Sequence, residues 1–377
     1  MSLRLSILDQ APISEGSTAG AALRNSVDLA RRADALGYSR YWVAEHHGTP
    51  ALACASPEAL IGPIAAATAR LRVGSGGVML PHYSPFKVAE TFAVLSGLFP
   101  GRIDLGIGRA SGTDPRTSLA LQRDRAAPAA DDFPEQLVEL LAYLSNGIPA
   151  GHPFSRQGEM FGSLQKPEPW LLGSSAQSAL WAAELGLPYA FADFINPEGG
   201  SLARMYRERF TPSARLPAPR TMVAAWALCA RTDAEAQRLA ASGRMLFQLF
   251  RSGRLLPVPS VETAERFLAD QAGSTLHGGR RTIVGSPATV RAGLEALAAE
   301  YGAEEVMVVT IAFDHGARVR SYELVSEAFG LPRSGSAAVP RPGRGDRDRS
   351  AGLAETSEPS VSGCRAQSGV RDAIRSG

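Results

Sequence analysis

The chain has 377 residues, of which 45% are hydrophobic and 20% charged, as in an ordinary globular protein. Its net charge of +2 gives no electrostatic footprint for nucleic acid or an anionic membrane. Three distant cysteines, Cys54, Cys229 and Cys364, exclude a disulfide scaffold or zinc ribbon and suit a reducing compartment. No apolar stretch is long enough for a membrane span, and Asp9 comes too early for a signal peptide. We therefore expect a cytoplasmic protein with no nucleic-acid or membrane partner.

Short apolar runs typical of strands alternate along the chain with longer segments of helical periodicity. Eight runs are predicted as strands: 3–10, 38–47, 72–81, 102–112, 167–175, 189–194, 220–230 and 304–313. Helical patterns separate them: 22–37, 56–71, 84–101, 131–147, 175–188 and 199–210, with a further one at 286–302. Gly37 is the expected stop of the first helix.

This alternation predicts a (β/α)8 TIM barrel over residues 1–331, with a helical insertion at roughly 233–275 before the last βα units. A doubly wound sheet is the alternative, but its Gly-rich turn should follow the first strand, where this chain has DQAPISEG. Residues 332–377 are rich in Gly, Ser, Pro and Arg and are predicted to be a disordered tail.

In such a barrel the C-terminal strand ends and the following loops form the active site. Three groups should therefore meet at one mouth: Glu45, His46 and His47; Gly108, Arg109 and Ser111; Gly173, Ser174 and Ser175. A histidine there is a credible acid or base, whereas the alternative is a hydrogen bond that caps the strand end. Because neighbouring residues on an extended chain point opposite ways, His46 and His47 should not share a metal ion. We predict no metal site.

Two features favour phosphate binding. Ser174, Ser175 and Ser178 surround a helix start, where N–H groups and hydroxyls bind anions, although plain N-capping is the alternative. Arg109 can grip a phosphate at two points, or instead pair with a carboxylate such as Asp114.

Glycines mark two further stretches. LGIGRASG is not a dinucleotide fingerprint, because position 111 is Ser and no helix is predicted there. In VGSGGVMLP, the strand glycines Gly74, Gly76 and Gly77 indicate either a flat ring against the backbone or a β-bulge.

Together these segments resemble the bacterial luciferase-like flavin-dependent monooxygenases. YWVAEHHGTP, VGSGGVMLP, FPGRIDLGIGRASGTDP, LLGSSAQSA and TIVGSPATV stand in that family's order, over about residues 3–330. The subgroup that looks closest consists of single-chain enzymes and includes antibiotic-pathway oxygenases. Two departures from luciferase itself stand out: Gly108 replaces its reactive cysteine, and its later phosphate arginine has only Arg123 and Arg125 as candidates. Light emission is therefore not implied.

The resemblance implies roles residue by residue. His46, with His47 beside it, would be catalytic at the reactive edge of the flavin. Arg109, Ser174, Ser175 and Ser178 would bind the FMN phosphate. Gly76 and Gly77 would lie against the flavin ring through a non-proline cis peptide.

The function so implied is a two-component monooxygenase. Reduced FMN from a separate flavin reductase would react with O₂ to a C4a-hydroperoxide, which inserts one oxygen atom into a small organic substrate. The insertion at 233–275 and the loop at 113–130 are candidate lids, and Phe161, Trp170, Phe194 and Trp226 either line a substrate pocket or belong to the core. The alternatives are F420-dependent hydride transfer and a non-catalytic flavin-binding protein. Because members of this family commonly form dimers, the resemblance also implies a possible homodimer.

Overall fold

The computed structural model describes residues 3–109, 114–122, 124–126, 131–145, 147–148, 151, 154–155, 165–270 and 281–333. Of the predicted disordered tail, only residues 332 and 333 are among them. No helix in the described part of the chain is both long and apolar enough to cross a membrane.

In the described residues, nine parallel strands form one sheet, and eight of them close into a barrel. The strands are β1 (Arg4–Asp9), β2 (Arg40–Val43), β3 (Arg72–Met79), β4 (Ile103–Gly108), β5 (Glu168–Gly173), β6 (Tyr189–Ala192), β7 (Thr221–Cys229), β8 (Thr282–Gly285) and β9 (Glu305–Val309). Strands β1 to β7 pair in chain order, and β9 lies between β7 and β1 and closes the ring. Strand β8 pairs with the far end of β7 and stays outside the ring. The predicted (β/α)8 barrel is confirmed.

Twelve described α-helices surround the barrel or extend from it. They are α1 (Ala19–Leu36), α2 (Pro57–Ala67), α3 (Pro85–Leu98), α4 (Pro115–Leu121), α5 (Phe133–Ser145), α6 (Ala176–Glu184), α7 (Gly200–Glu208), α8 (Asp233–Leu239), α9 (Ala241–Arg251), α10 (Val261–Asp270), α11 (Pro287–Tyr301) and α12 (His315–Phe329). Helix α1 ends at Gly37, which has the left-handed conformation (φ 85°) expected of a helix stop. The predicted helical insertion consists of α8, α9 and α10 as far as residue 270.

All eight barrel strands are somewhat shorter than predicted, and two of these differences concern the predicted site. Strand β2 ends at Val43 rather than 47, and β4 ends at Gly108 rather than 112. In the first case, the chain stays extended as far as Ala44, whose N–H still donates to Asp9 O at 2.9 Å, and then turns away. The polar ends of both runs thus belong to the loops of the barrel mouth.

The protein has two main apolar cores: one inside the barrel and one between the strands and the surrounding helices. The cluster inside the barrel takes every second residue of several strands, as expected for side chains that alternate across a sheet: Leu8, Trp42, Ala44, Trp170, Ala190, Met222, Ala224, Met307 and Val309. Trp170 is fully buried and packs edge-to-face on Trp42, with ring centroids 5.6 Å apart. It is therefore core, well below the mouth.

A buried ionic cluster closes the opposite end of the barrel, where the strands begin. Arg40 Nη1 lies 2.8 Å from Asp104 Oδ2, and its Nε lies 3.1 Å from Glu305 Oε1. Asp104 also accepts from Arg72 and from Trp42 Nε1. Burial alone would lower the pKa of Arg40, but Asp104 and Glu305 more than offset that, so the pKa is raised. Every charge in this cluster has a partner, which suits a structural role.

Candidate active site

The predicted site residues lie at the same end of neighbouring strands. His46 follows β2, Gly76 and Gly77 lie in β3, Arg109 follows β4, and Ser174 follows β5. Strands β2 to β5 pair side by side in parallel, so these ends form one continuous arc of the barrel mouth. Ser111 lies outside the described residues.

His46 lies just after Trp42 and Ala44, which belong to the inner apolar cluster, and its side chain is partly buried. Its backbone N–H donates to Cys54 O at 2.9 Å, whereas its ring atom Nδ1 is buried and has no hydrogen-bond partner in the part of the chain that the structure describes. Burial, and then the neighbouring His47, lower the pKa of His46 from 6.5 to about 4. The mouth thus holds a neutral imidazole with one polar atom left unsatisfied.

His47 is already engaged. Its Nε2 lies 2.7 Å from Oε1 of Glu45, which is fully buried. The rings of His47 and His82 meet edge-on, with centroids 6.0 Å apart. The two histidines therefore have different surroundings, and in the described residues no group of three His, Cys, Asp or Glu side chains is placed to hold a metal ion.

The Gly76–Gly77 peptide bond is cis, as the resemblance implied. The pairing register between β3 and β4 also shifts between Ser75 and Val78, so the irregularity considered as the alternative is present as well. A Cβ on Gly76 would meet Leu8 Cδ1 at 2.5 Å, and one on Gly77 would meet Gly106 O at 2.9 Å. Close packing inside the barrel therefore requires these glycines even before any ligand is considered.

Arg109 reaches outward at the mouth with its side chain 51% exposed. It pairs with Asp131 at 3.5 Å, not with Asp114, which instead caps α4 by accepting from Arg116 N and Thr117 N. The Asp131 carboxylate is itself 81% exposed, so this ion pair is weak. The Arg109 guanidinium also lies 5.8 Å from the ring of Trp181 on α6, which places it beside that helix.

The three serines differ in how far their hydroxyls are committed. Ser175 is the N-cap of α6, and its Oγ accepts from Ser178 N at 3.3 Å. Ser178 is buried, and its hydroxyl contacts Tyr189 OH at 2.8 Å and donates to Ser175 O at 3.0 Å. Ser174 accepts from Asn196 Nδ2 through its carbonyl. The capping alternative is thus present at Ser175, and Ser178 supports the loop from behind.

Helix α9 of the insertion packs over the ends of β7 and β9. Phe247 meets Trp226 edge-on with centroids 5.4 Å apart, and a Cβ on Gly243 would lie 3.4 Å from Ile311 O. Trp226 and Phe194 pack partly buried on the inner cluster. Together they give this side of the mouth an apolar wall, whereas Phe161 lies outside the described residues. Of the other predicted lid, 113–130, the described part contains α4.

Sequence reasoning placed Glu45 at the mouth without giving it a role, and it did not include Glu58. Glu58, in the first turn of α2, has a raised pKa because of burial and then because of the charge of Glu45. Glu45 stood in the motif that drew attention to the histidines. Only the structure, in which Glu45 is buried, shows that its carboxylate contacts His47 rather than solvent.

Comparison with known proteins gives consistent matches over most of the chain. A family model described as luciferase-like monooxygenase matches residues 3–305. YwcH of Bacillus subtilis is 47% identical over 338 residues, which is 86% of this chain and 98% of that protein. A luciferase-like monooxygenase of Escherichia coli is 42% identical over 334 residues, 86% of this chain and 96% of its own length. The crystal structure of apo-MsnO8 superimposes with a TM-score of 0.80 at 42% identity, covering 88% and 99% of the two chains.

Proposed function

Because the chain belongs to the luciferase-like monooxygenase family and is an oxidoreductase, we propose that it is an FMN-dependent monooxygenase. It takes reduced FMN and O₂, places one oxygen atom in an organic substrate and releases the other as water. The observation that carries this proposal is His46, a neutral histidine whose buried Nδ1 lacks a partner at the barrel mouth. A buried polar atom without a partner is costly, so it marks a place where a ligand is expected.

The residues present fit FMN. Arg109 is half exposed, its ion pair with Asp131 is weak, and it lies beside α6, whose first turn offers backbone N–H groups and Ser175 to a phosphate. Gly76 and Gly77 present backbone without side chains on the neighbouring strand. A related fold in Pseudomonas putida, the oxygenating constituent of 3,6-diketocamphane monooxygenase, was solved with FMN (22% identity, TM-score 0.64).

When bound near His46, Arg109 and the Gly76–Gly77 peptide, reduced FMN would supply the chemistry that activates O₂. The protein's part is to orient the cofactor, exclude water and control one proton. The neutral His46 ring can accept that proton at Nδ1, which an imidazolium, already protonated at both nitrogens, cannot do. The apolar wall of Trp226 and Phe247 keeps water from the mouth and suits a substrate with an apolar body.

The proposal includes a separate flavin reductase as the supplier of reduced flavin. LGIGRASG lacks the third glycine of a dinucleotide fingerprint, and Gly106 and Gly108 lie within and at the end of β4. The two free buried cysteines, Cys54 and Cys229, support the expected cytoplasmic location, where O₂, reductase and flavin meet.

Isotope labelling tests the reaction type. A Bacillus subtilis relative, 37% identical over 331 residues, is an N-acetyl-S-alkylcysteine monooxygenase, so thioethers are the first substrates to supply. With reduced FMN and ¹⁸O₂ we expect one ¹⁸O atom per product molecule. Hydride transfer from F420, which a secondary alcohol dehydrogenase of this fold uses (15% identity, TM-score 0.55), consumes no O₂ and leaves products unlabelled. A non-catalytic flavin-binding protein yields no product with either cofactor.

We also propose a homodimer through α2 and α3. The stretches ALIGPIAAA of α2 and FAVLSGL of α3 contain no charge, and Val94 and Leu98 are 58% and 66% exposed. An uncharged apolar helix face is ordinarily buried against a partner. Light scattering should give twice the chain mass for the wild type and the monomer mass for Leu98→Asp. A monomeric wild type contradicts the proposal.

A further inference from the structure

The Glu45 carboxylate joins the ends of two neighbouring strands. Its Oε2 accepts a hydrogen bond from Met79 N at 3.0 Å, and its Oε1 lies 2.7 Å from His47 Nε2. Met79 lies two residues after the cis Gly76–Gly77 peptide, and His47 follows His46 directly. One buried side chain therefore links the segment that carries His46 to the segment that carries the cis peptide.

We propose that Glu45 is a positioning residue that holds His46 and the Gly76–Gly77 peptide in a fixed relation at the barrel mouth. The catalytic consequence rests on the proposed function, whereas the structural one does not. Since a carboxylate only accepts hydrogen bonds, the contact at 2.7 Å also places a proton on His47 Nε2. A site of this kind works when a second layer of hydrogen bonds fixes the groups that meet the ligand.

A third contact completes the support. The His46 backbone N–H donates to Cys54 O at 2.9 Å, so the main chain is held at His46 and on both sides of it. The His46 ring itself has no partner at Nδ1. The chain on either side of the His46 ring is thus fixed by hydrogen bonds while the ring atom Nδ1 is left for a ligand, which is the arrangement expected of a preorganised group.

Other ionisable groups face Glu45 and His47 from the elements packed against them. Glu58 comes from α2, Cys54 from the preceding loop, and His82 and Tyr83 from the segment after β3. Burial, and then the charge of Glu45, raise the pKa of Glu58 and of Tyr83. For His46 the causes of the low pKa are burial and then His47, so Glu45 acts on it through position.

Two substitutions separate position from charge. Glu45→Asp keeps the charge but is one methylene too short to reach both partners. Glu45→Gln keeps the length and an oxygen for Met79 N, but loses the charge and turns a donor toward His47 Nε2. The matched control is Asp193→Asn. Asp193 is as buried as Glu45 and directly follows β6, but its carboxylate accepts a hydrogen bond from Tyr301 OH at 2.9 Å and does not contact His46 or His47.

Nuclear magnetic resonance of the ¹⁵N-histidine-labelled protein without cofactor gives the first readout. The chain has six histidines, and His46→Gln and His47→Gln assign the two signals. We expect Glu45→Asp to raise the pKa of His46 from about 4 by at least about one unit, because a loosened ring gains water. Glu45→Gln should leave that pKa low and move the His47 proton from Nε2 to Nδ1. A low His46 pKa in Glu45→Asp, or an equal rise in Asp193→Asn, overturns the proposal.

Peroxide released per reduced FMN oxidised gives the second readout. Glu45→Asp should raise it at least about threefold at an unchanged Kd for reduced FMN, and Glu45→Gln should stay near the wild type. If the resonance shifts appear but the wild type does not slow flavin oxidation, positioning stands and the proposed function fails. If the wild type slows it and Glu45→Asp changes neither readout, positioning fails alone.

Discussion

The two ends of the barrel differ in whether their key polar side chains have partners within the protein. Where the strands begin, Arg40, Asp104 and Glu305 are buried and bonded to one another. Where they end, His46 has a buried atom with no hydrogen-bond partner among the described residues, and Arg109 is half exposed with a weak ion pair to Asp131. The paired Arg40 cluster helps to hold the barrel together, whereas His46 and Arg109 lie where a ligand can complete their hydrogen bonds. Stability and function are therefore separated along the barrel axis.

The largest effect is expected at the closed end. Arg40→Ala leaves Asp104 and Glu305 buried without their shared partner and should lower the free energy of unfolding by about 3–5 kcal/mol. Arg4→Ala is the matched control, because Arg4 is 43% exposed and its ion pairs with Glu304 and Glu305 are worth under about 1 kcal/mol. Urea denaturation measures the free energy of unfolding of both variants. Equal decreases would contradict the expected difference between buried and exposed ion pairs.

A slightly smaller effect, at the mouth, depends on pH. His46 takes a proton below pH 6.5 when unfolded but only near pH 4 when folded, so the wild type loses stability as the pH falls between these values. The loss due to this one group is about 3 kcal/mol. His46→Gln does not titrate and should lack this part of the loss. Denaturation at pH 7 and pH 4 gives the difference, since all other groups are shared. Parallel losses in both proteins would mean that His46 is not buried as a neutral ring.

The third effect is on binding. Arg109→Ala removes a charge-assisted hydrogen bond to phosphate, worth about 1.5–3 kcal/mol, so the Kd for reduced FMN should rise about 10- to 100-fold. Stability should change little, because the Arg109 side chain is 51% exposed. Arg291→Ala, also half exposed and paired with a carboxylate, is the control and should leave the Kd unchanged. An unchanged Kd in Arg109→Ala places the phosphate elsewhere.

Much of this contrast was accessible from sequence, because strand ends in a parallel barrel fall at one rim. The alternation of apolar runs and helical patterns predicts the eight barrel strands, and the motif order implies the cis bond at Gly76–Gly77. The partners of the polar groups were not accessible. Arg40, Asp104 and Glu305 are far apart in the chain and meet only when the ring closes, and Asp131 rather than Asp114 pairs with Arg109. Hydrogen bonds such as that of Glu45 to Met79 depend on strand register and burial, which local patterns do not contain.

The most direct test of the open mouth as a flavin site is an anaerobic titration with reduced FMN followed by rapid mixing with O₂. We expect saturable binding, and bound flavin should return to its oxidised spectrum far more slowly than free flavin. His46→Ala should bind similarly but lose most of that delay. Failure of reduced FMN to bind, or oxidation of the bound flavin as fast as in free solution, would contradict the assignment of the mouth to oxygen chemistry.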